Sequence, residues 1–351
     1  MSSNDEELWR EFELIRERFE THLVDDLIHK IDVYMYTKEG DSILVVVDFK
    51  NYPAKPEISI KEVPMRLRST AEHFHVTQQI SLLSNWSSDG KMHVANTLHD
   101  IAKRFEDIAR LVTEFDVLKE QFKSTEINPV SLQVQLQSYG SQIYSLTVDC
   151  EEFPNRPRIM FERQDIDLSN TNSLIKWGQE THLVDLVKES EYHINQINRI
   201  PFELELMKTI CDTGYDETER TMNFKIVGRE RFEGQIFCFS AALPDGYPKI
   251  PPKINLITAI PDPSLEQSIL KILKESEIKW NPNWFLEDIV VKVDTIISNT
   301  AIKYSCIVCR HPIEELENAI RCPNCSRPFH NACWKELKQK FGRCPRCQTP
   351  V

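Results

Sequence analysis

Near its C-terminus the chain sets seven cysteines and one histidine in the order C-x2-C-x12-C-x2-C-x4-H-x2-C-x10-C-x2-C, from Cys306 to Cys347. Two residues between ligands let both thiolates of one turn reach a single ion, and four such pairs are what two tetrahedral zinc ions require. In cross-brace order Cys306, Cys309, His330 and Cys333 hold one ion, and Cys322, Cys325, Cys344 and Cys347 hold the other. His311 is a rival ligand, but it lacks the H-x2-C pairing and reads as solvated. A module of about fifty residues buries too little apolar surface to fold alone. Two zinc ions are therefore expected as cofactors, structural zinc contributing on the order of 10–16 kcal/mol in comparable small modules.

The tail differs from the rest in charge. The 351 residues carry a net charge of −12, yet from Ala301 onward nine Lys or Arg face four Glu, leaving 33 basic and 50 acidic residues before it. Seven thiolates and two zinc ions would bring the tail to about +2, a modest field. An acidic body argues against direct nucleic-acid binding, which needs clustered Lys and Arg. Apolar residues at 41% and charged residues at 27% mark a folded chain, and its length predicts two to four domains. The longest apolar run is a few residues and the start "MSSNDEELWR" is acidic, so neither a membrane span nor a secretory signal is expected. With seven of ten cysteines in the tail, metal ligation is favoured over disulfides.

Before the tail the chain repeats itself. "FKNYPAKPEISI" returns as "CEEFPNRPRIMF" and as "PDGYPKIPPKINL", with Pro53, Pro154 and Pro248 separated by 101 and 94 residues. Alternating runs precede each phrase. In "SLQVQLQSYGSQIYSLTVDC" Leu132, Val134 and Leu136 alternate with glutamines before a turn and a second such run, which predicts a hairpin with one wet face. Further upstream Leu8, Phe12, Ile15 and Phe19, then Leu111, Phe115, Leu118 and Phe122, mark amphipathic helices. Leu204, Met207 and Cys211 form a shorter stripe after Pro201, a residue suited to a first helical turn. Trp86, Trp177 and Trp280 each precede an apolar helix. The order helix, meander, proline corner, helix thus occurs three times, proline ending strand pairing because it fixes its own backbone angle and restricts its predecessor.

"GQIFCFSAALPDGYPKIPPKI" resembles the G-x-x-F and P-x-x-Y-P-x-x-P-P segment of the ubiquitin-conjugating enzyme fold and of its non-catalytic RWD relatives. The first two copies look like degraded versions. A conjugating enzyme needs a nucleophilic cysteine downstream of this corner, but Pro252 to Ser305 contains none, which rules out thioester chemistry there. Cys150 and Cys238 lie in alternating strands and read as small buried hydrophobes. Cys211 has no partner at metal spacing, and no catalytic residue is assigned.

The tail's ligand order is shared by RING-type ubiquitin ligase modules and by PHD fingers that read histone tails. A PHD finger carries an aromatic two residues before the seventh ligand and a longer gap before it; here position 342 is Gly and the gap is ten. The RING reading fits better. Ile307 follows the first ligand, Pro345 follows the seventh, and a helix "WKELKQK" is expected after Cys333. In RING modules these parts form the shallow apolar groove that binds a conjugating enzyme. The usual groove aromatic is replaced by Leu337, with Trp334 one turn earlier on the same helical face. Ile307, Trp334, Leu337 and Pro345 are therefore the expected conjugating-enzyme contacts, Ile307 as an exposed aliphatic residue. Gln348 follows the last ligand, where strongly active RING modules often have Arg to clamp ubiquitin.

Taken whole, the chain resembles the Fanconi anaemia group L ubiquitin ligase family. The resemblance implies an α+β chain of three tandem ubiquitin-conjugating-enzyme-like or RWD-like modules and a zinc-braced RING with PHD-like ligand order. The expected boundaries are 1–104, 105–195, 196–298 and 299–351. It further implies a ligase that recruits a charged conjugating enzyme and directs mono-ubiquitination of the paired clamp proteins of interstrand-crosslink repair. The central pair of modules would dock that substrate, and the N-terminal module would serve other core-complex subunits and ubiquitin. Residence would be nuclear, also cytoplasmic. A zinc-braced scaffold or histone reader without ligase activity is the alternative.

Overall fold

The computed structural model describes all residues except 1–2, 25–26, 77–93, 163–171, 179, 230–231, 261, 299–305, 312 and 314–317. Trp86 and the boundary at Asn299 lie outside the described residues. The architecture is mixed α+β. Helix α1 (Ser3–Arg16) leads into strands β1 (Glu20–Val24), β2 (Leu27–Tyr36), β3 (Ser42–Asp48) and β4 (Glu57–Glu62), then α2 (Met65–His73). Helix α3 (Val94–Gln121) precedes β5 (Ser124–Asn128), β6 (Ser131–Gln137), β7 (Ile143–Asp149), β8 (Arg158–Phe161) and the short α4 (Asn172–Ile175). Helix α5 (Leu183–Lys208) precedes β9 (Asp212–Asp216), β10 (Thr221–Val227), β11 (Ile236–Ala242) and β12 (Lys253–Leu256), followed by α6 (Pro263–Ile278) and α7 (Leu286–Ser298). The tail holds β13 (Ile320–Arg321), β14 (Pro328–Phe329) and α8 (Asn331–Lys340).

Helices α1, α3 and α5 are thus each followed by a four-stranded sheet whose strands lie in sequence order. The chain groups into two compact units, residues 1–136 with 145–190, and residues 137–144 with 191–351. In the first, Leu8, Phe12 and Ile15 of α1 share a core with Ile31, Val33 and Met35 of β2, Ile43, Val45 and Val47 of β3, and Leu98, Ile101, Phe105 and Ile108 of α3. The period of two in the strands and of three to four in the helices is what brings these side chains to one interior. In the second unit Phe224 and Phe239, opposite each other across β10 and β11, stack at 5.0 Å beneath Leu265 and Ile269 of α6 and Ile289 and Val293 of α7. Leu132, Val134 and Leu136 are buried as the alternation predicts. The glutamines between Leu132 and Leu136 are half-buried, so that face is drier than expected.

The three proline corners share one geometry. The peptide bonds Tyr52–Pro53, Phe153–Pro154 and Tyr247–Pro248 are all cis. At each, the aromatic residue's N–H donates to the carbonyl three residues back, Phe49, Cys150 and Pro244, at 2.8, 3.0 and 2.9 Å. Downstream, the Trp177 indole donates to the Pro154 carbonyl at 3.0 Å and that of Trp280 to the Pro248 carbonyl at 2.7 Å.

Two sequence expectations are corrected. Pro201 does not begin a helix but lies inside the 26-residue α5. Its preference for a first turn is overridden because apolar residues continue on both sides of it, with Ile194 buried before it and Met207 after it. Helix α8 starts at Asn331, so Cys333 lies within it rather than before it. Positions 104–105 and 195–196 fall inside the continuous helices α3 and α5.

Candidate metal centre and its seat

Three tight turns position six of the eight ligands. In each, the first cysteine's carbonyl accepts from the residue four positions on: Arg310 N–H to Cys306 at 2.6 Å, Ser326 to Cys322 at 2.9 Å, and Gln348 to Cys344 at 2.8 Å. Arg310, Ser326 and Gln348 all take positive φ, 60°, 57° and 58°, which curls the backbone around the two sulfurs. The remaining pair sits at the start of α8, where His330 is the N-cap residue and Cys333 lies in the first turn. Helical spacing of three turns both toward the same point.

These turns gather Cys306, Cys309, His330 and Cys333 into one group and Cys322, Cys325, Cys344 and Cys347 into another, ligand atoms in each lying within 4.8 Å of one another. Zinc–sulfur bonds of about 2.3 Å at tetrahedral angles imply sulfur separations of about 3.8 Å. The Sγ atoms of Cys322 and Cys347 are 3.7 Å apart, and those of Cys325 and Cys344 are 3.9 Å apart. In the first group His330 Nδ1 is 3.2 Å from Cys309 Sγ and 4.0 Å from Cys333 Sγ. Burial, followed by the charge of Cys306, pushes the Cys333 thiol up to about 12. Thiols crowded in this way ionise together only around a cation, so the donor sets fit two zinc ions. His311 is exposed and belongs to neither group.

The four expected conjugating-enzyme contacts are placed differently from expectation. Ile307 is not exposed: it retains 6% of its surface, Trp334 6% and Leu337 1%, and Pro345 is also buried. All but Pro345 belong to one apolar cluster that includes Phe202 and Leu206 of α5 and Phe285, the residue before α7. Pro345 contributes its carbonyl, which accepts from the Gly140 N–H at 3.2 Å. Gly140 has φ +70°, and a side chain there would meet the Phe202 ring at 3.1 Å.

Charge reinforces this seat. Arg327 and Glu287, each 1% exposed, pair at 2.6 Å. Arg346 pairs with Asp288 and lies 4.7 Å from the Phe285 ring, Arg310 pairs with Glu205 at 3.0 Å, and Arg343 pairs with Glu191. Burial raises the Glu287 carboxyl above its ordinary range, with Arg327 and Arg346 opposing it. The basic tail and acidic body noted in the sequence therefore meet at particular residues.

Sequence reasoning missed a further set. Buried Glu11, Glu114 and Glu203 accept from the backbone N–H of the first residue of α3, α5 and α7: Val94 at 3.1 Å, Leu183 at 2.8 Å and Leu286 at 3.0 Å. An acidic group at a helix start satisfies an open donor and complements the dipole. Glu203 also accepts from Tyr247 Oη and Arg199 Nε. Burial works against the charge of Arg199, but Glu203, Tyr247 and Tyr139 hold its pKa above the usual guanidinium range. Each glutamate directly precedes an apolar residue of its helix's stripe, Phe12, Phe115 or Leu204, and that offset was the available signal.

Residues 202–311 match the family model of the ubiquitin-conjugating enzyme, a segment running from α5 through the third sheet to the first cysteine turn. No curated protein matches the chain. A ubiquitin-conjugating-enzyme-like segment joined to two zinc-capable clusters fits a RING-type arrangement and is consistent with a place in the ubiquitin pathway. No helix among the described residues is long and apolar enough to cross a membrane.

Proposed function

We propose that the chain is a RING-type ubiquitin ligase. The observation that carries this reading is the crossed pair of cysteine and histidine clusters beside a conjugating-enzyme-like segment that lacks that fold's cysteine. Zinc held by Cys306, Cys309, His330 and Cys333, and by Cys322, Cys325, Cys344 and Cys347, would brace the tail and take no part in the chemistry. Within the matched segment Cys211 is half-buried, and burial pushes its thiol up to about 12, which suits an inert residue. Catalysis would be by orientation: the tail binds a charged conjugating enzyme through Ile307, Trp334, Leu337 and Pro345 and restrains its ubiquitin for lysine attack.

The family resemblance extends the proposal to mono-ubiquitination of the Fanconi clamp pair in crosslink repair. The domains are 1–104, 105–195, 196–298 and 299–351, the middle two docking substrate and the first engaging core-complex subunits and ubiquitin. Residence is nuclear, also cytoplasmic, with no direct nucleic-acid or membrane partner. Burial of all four contact residues favours a second reading, a zinc-braced scaffold or histone reader. Incubation with ubiquitin-charged conjugating enzymes and free lysine separates them. Accelerated discharge is expected. No acceleration with any conjugating enzyme, together with binding of histone peptides, overturns the ligase reading.

A further inference from the structure

We infer that the tail is held closed by the chain itself: α5 and the turn at Gly140 occupy the face that a conjugating enzyme would use, so recruitment requires the tail to leave its seat. This rests on the ligase reading. Ile307, Phe202, Leu206 and Gly140 line a residual void of about 30 Å³, room for a water molecule and no side chain of a partner. The Gly140 N–H is spent on the Pro345 carbonyl. An enzyme approaching this face would meet α5 in its place.

Charge makes the closure specific. Four of the tail's five arginines, Arg310, Arg327, Arg343 and Arg346, pair with carboxylates on α5 and at the start of α7. A chance apolar contact has no reason to align four pairs of one polarity. The Arg310–Glu205 pair lies at the rim, both side chains more than half exposed, where water and salt compete for it; the Arg327–Glu287 pair lies within. The arrangement resembles a two-state contact, in which a ligand selects the open form according to its differential affinity.

The test uses the full chain with Leu206→Lys, which sets a cation beside Arg310, and separately with Glu191→Lys and Glu205→Lys together, which reverses the rim partner of Arg310 and the less exposed partner of Arg343. Zinc content and circular dichroism confirm that each variant is folded. Opening is read without any conjugating enzyme, as hydrogen exchange of the Gly140 amide. Function is read as discharge of a panel of ubiquitin-charged conjugating enzymes to free lysine. The expected result is faster Gly140 exchange in at least one variant, with discharge accelerated tenfold or more over the unaltered chain. Where the unaltered chain discharges measurably, faster exchange with no gain in discharge overturns the closure. So does a Gly140 amide that stays protected when a conjugating enzyme saturates the unaltered chain. If Gly140 opens and no chain discharges any conjugating enzyme, the ligase reading falls and the closure has no docking face to cover.

Discussion

Glu203→Ala should loosen α7 more than any other single change in the second unit's core. The carboxylate is 1% exposed and holds the Leu286 N–H, the Tyr247 hydroxyl and the Arg199 guanidinium at once. Removing it opens the helix cap, worth about 1 kcal/mol. It also leaves Arg199, 3% exposed, with the Trp284 carbonyl and the Phe285 ring at 3.8 Å but without its counter-charge. Breaking a buried pair from one side costs about 3–5 kcal/mol. The two losses overlap, so a total of about 4 kcal/mol is expected. Glu203→Gln keeps an acceptor for Leu286 and should cost about 3 kcal/mol. Arg199→Met with Glu203→Gln should recover most of this, because no charge is then stranded. Since a chain of several units does not unfold in one step, the measurement is hydrogen exchange along 286–298, where 4 kcal/mol corresponds to about a thousandfold. A change below tenfold for Glu203→Ala, or a double variant worse than both singles, would refute the assignment.

Metal analysis should return two zinc equivalents, and chelation should unfold residues 306–351; a folded metal-free tail refutes the donor assignment. Zinc should also be lost as pH falls, because protons compete for the thiolates, and a metal content constant to strongly acidic pH would contradict this. Arg327→Met should weaken the seat by about 3 kcal/mol by stranding Glu287, and adding Glu287→Gln should restore it, both read from Gly140 amide exchange. Trp280→Phe should cost the third sheet about 1 kcal/mol through the lost bond to Pro248, measurable as faster exchange in β11.

Much of this was legible beforehand, for identifiable reasons. The two cysteine and histidine groups able to hold zinc were readable because the two-residue gaps are local and strict, and the strands because their alternation is local too. Pro201 misled because its first-turn preference is a local rule, whereas α5 is decided by the cores it serves. The exposure of Ile307 was misjudged for a related reason. Its cover comes from Phe202 and Leu206, about a hundred residues earlier, and no pattern around Cys306 encodes that partner. The buried glutamates carry no local mark that separates them from solvated helix charges. Only the comparison of stripes, with Glu11, Glu114 and Glu203 at one offset, distinguishes them.

Helix α3 bears on how such a chain can change length. Its first half fills the core of the first sheet through Ile101, Phe105 and Ile108, while Leu111, Phe115 and Leu118 are buried further along, and Glu114 anchors the start of α5. One residue added near Ala109 would turn everything after it by about 100° and advance it about 1.5 Å. Both sets of apolar residues could not then stay inside. Seven added residues would return the facing to within about 20° but lengthen the helix by about 10 Å. The Thr113 hydroxyl would be carried away from Arg66, now 3.2 Å from it. Insertions and deletions among related chains are therefore expected at exposed turns such as Glu39–Gly40 and should be missing from residues 101–118.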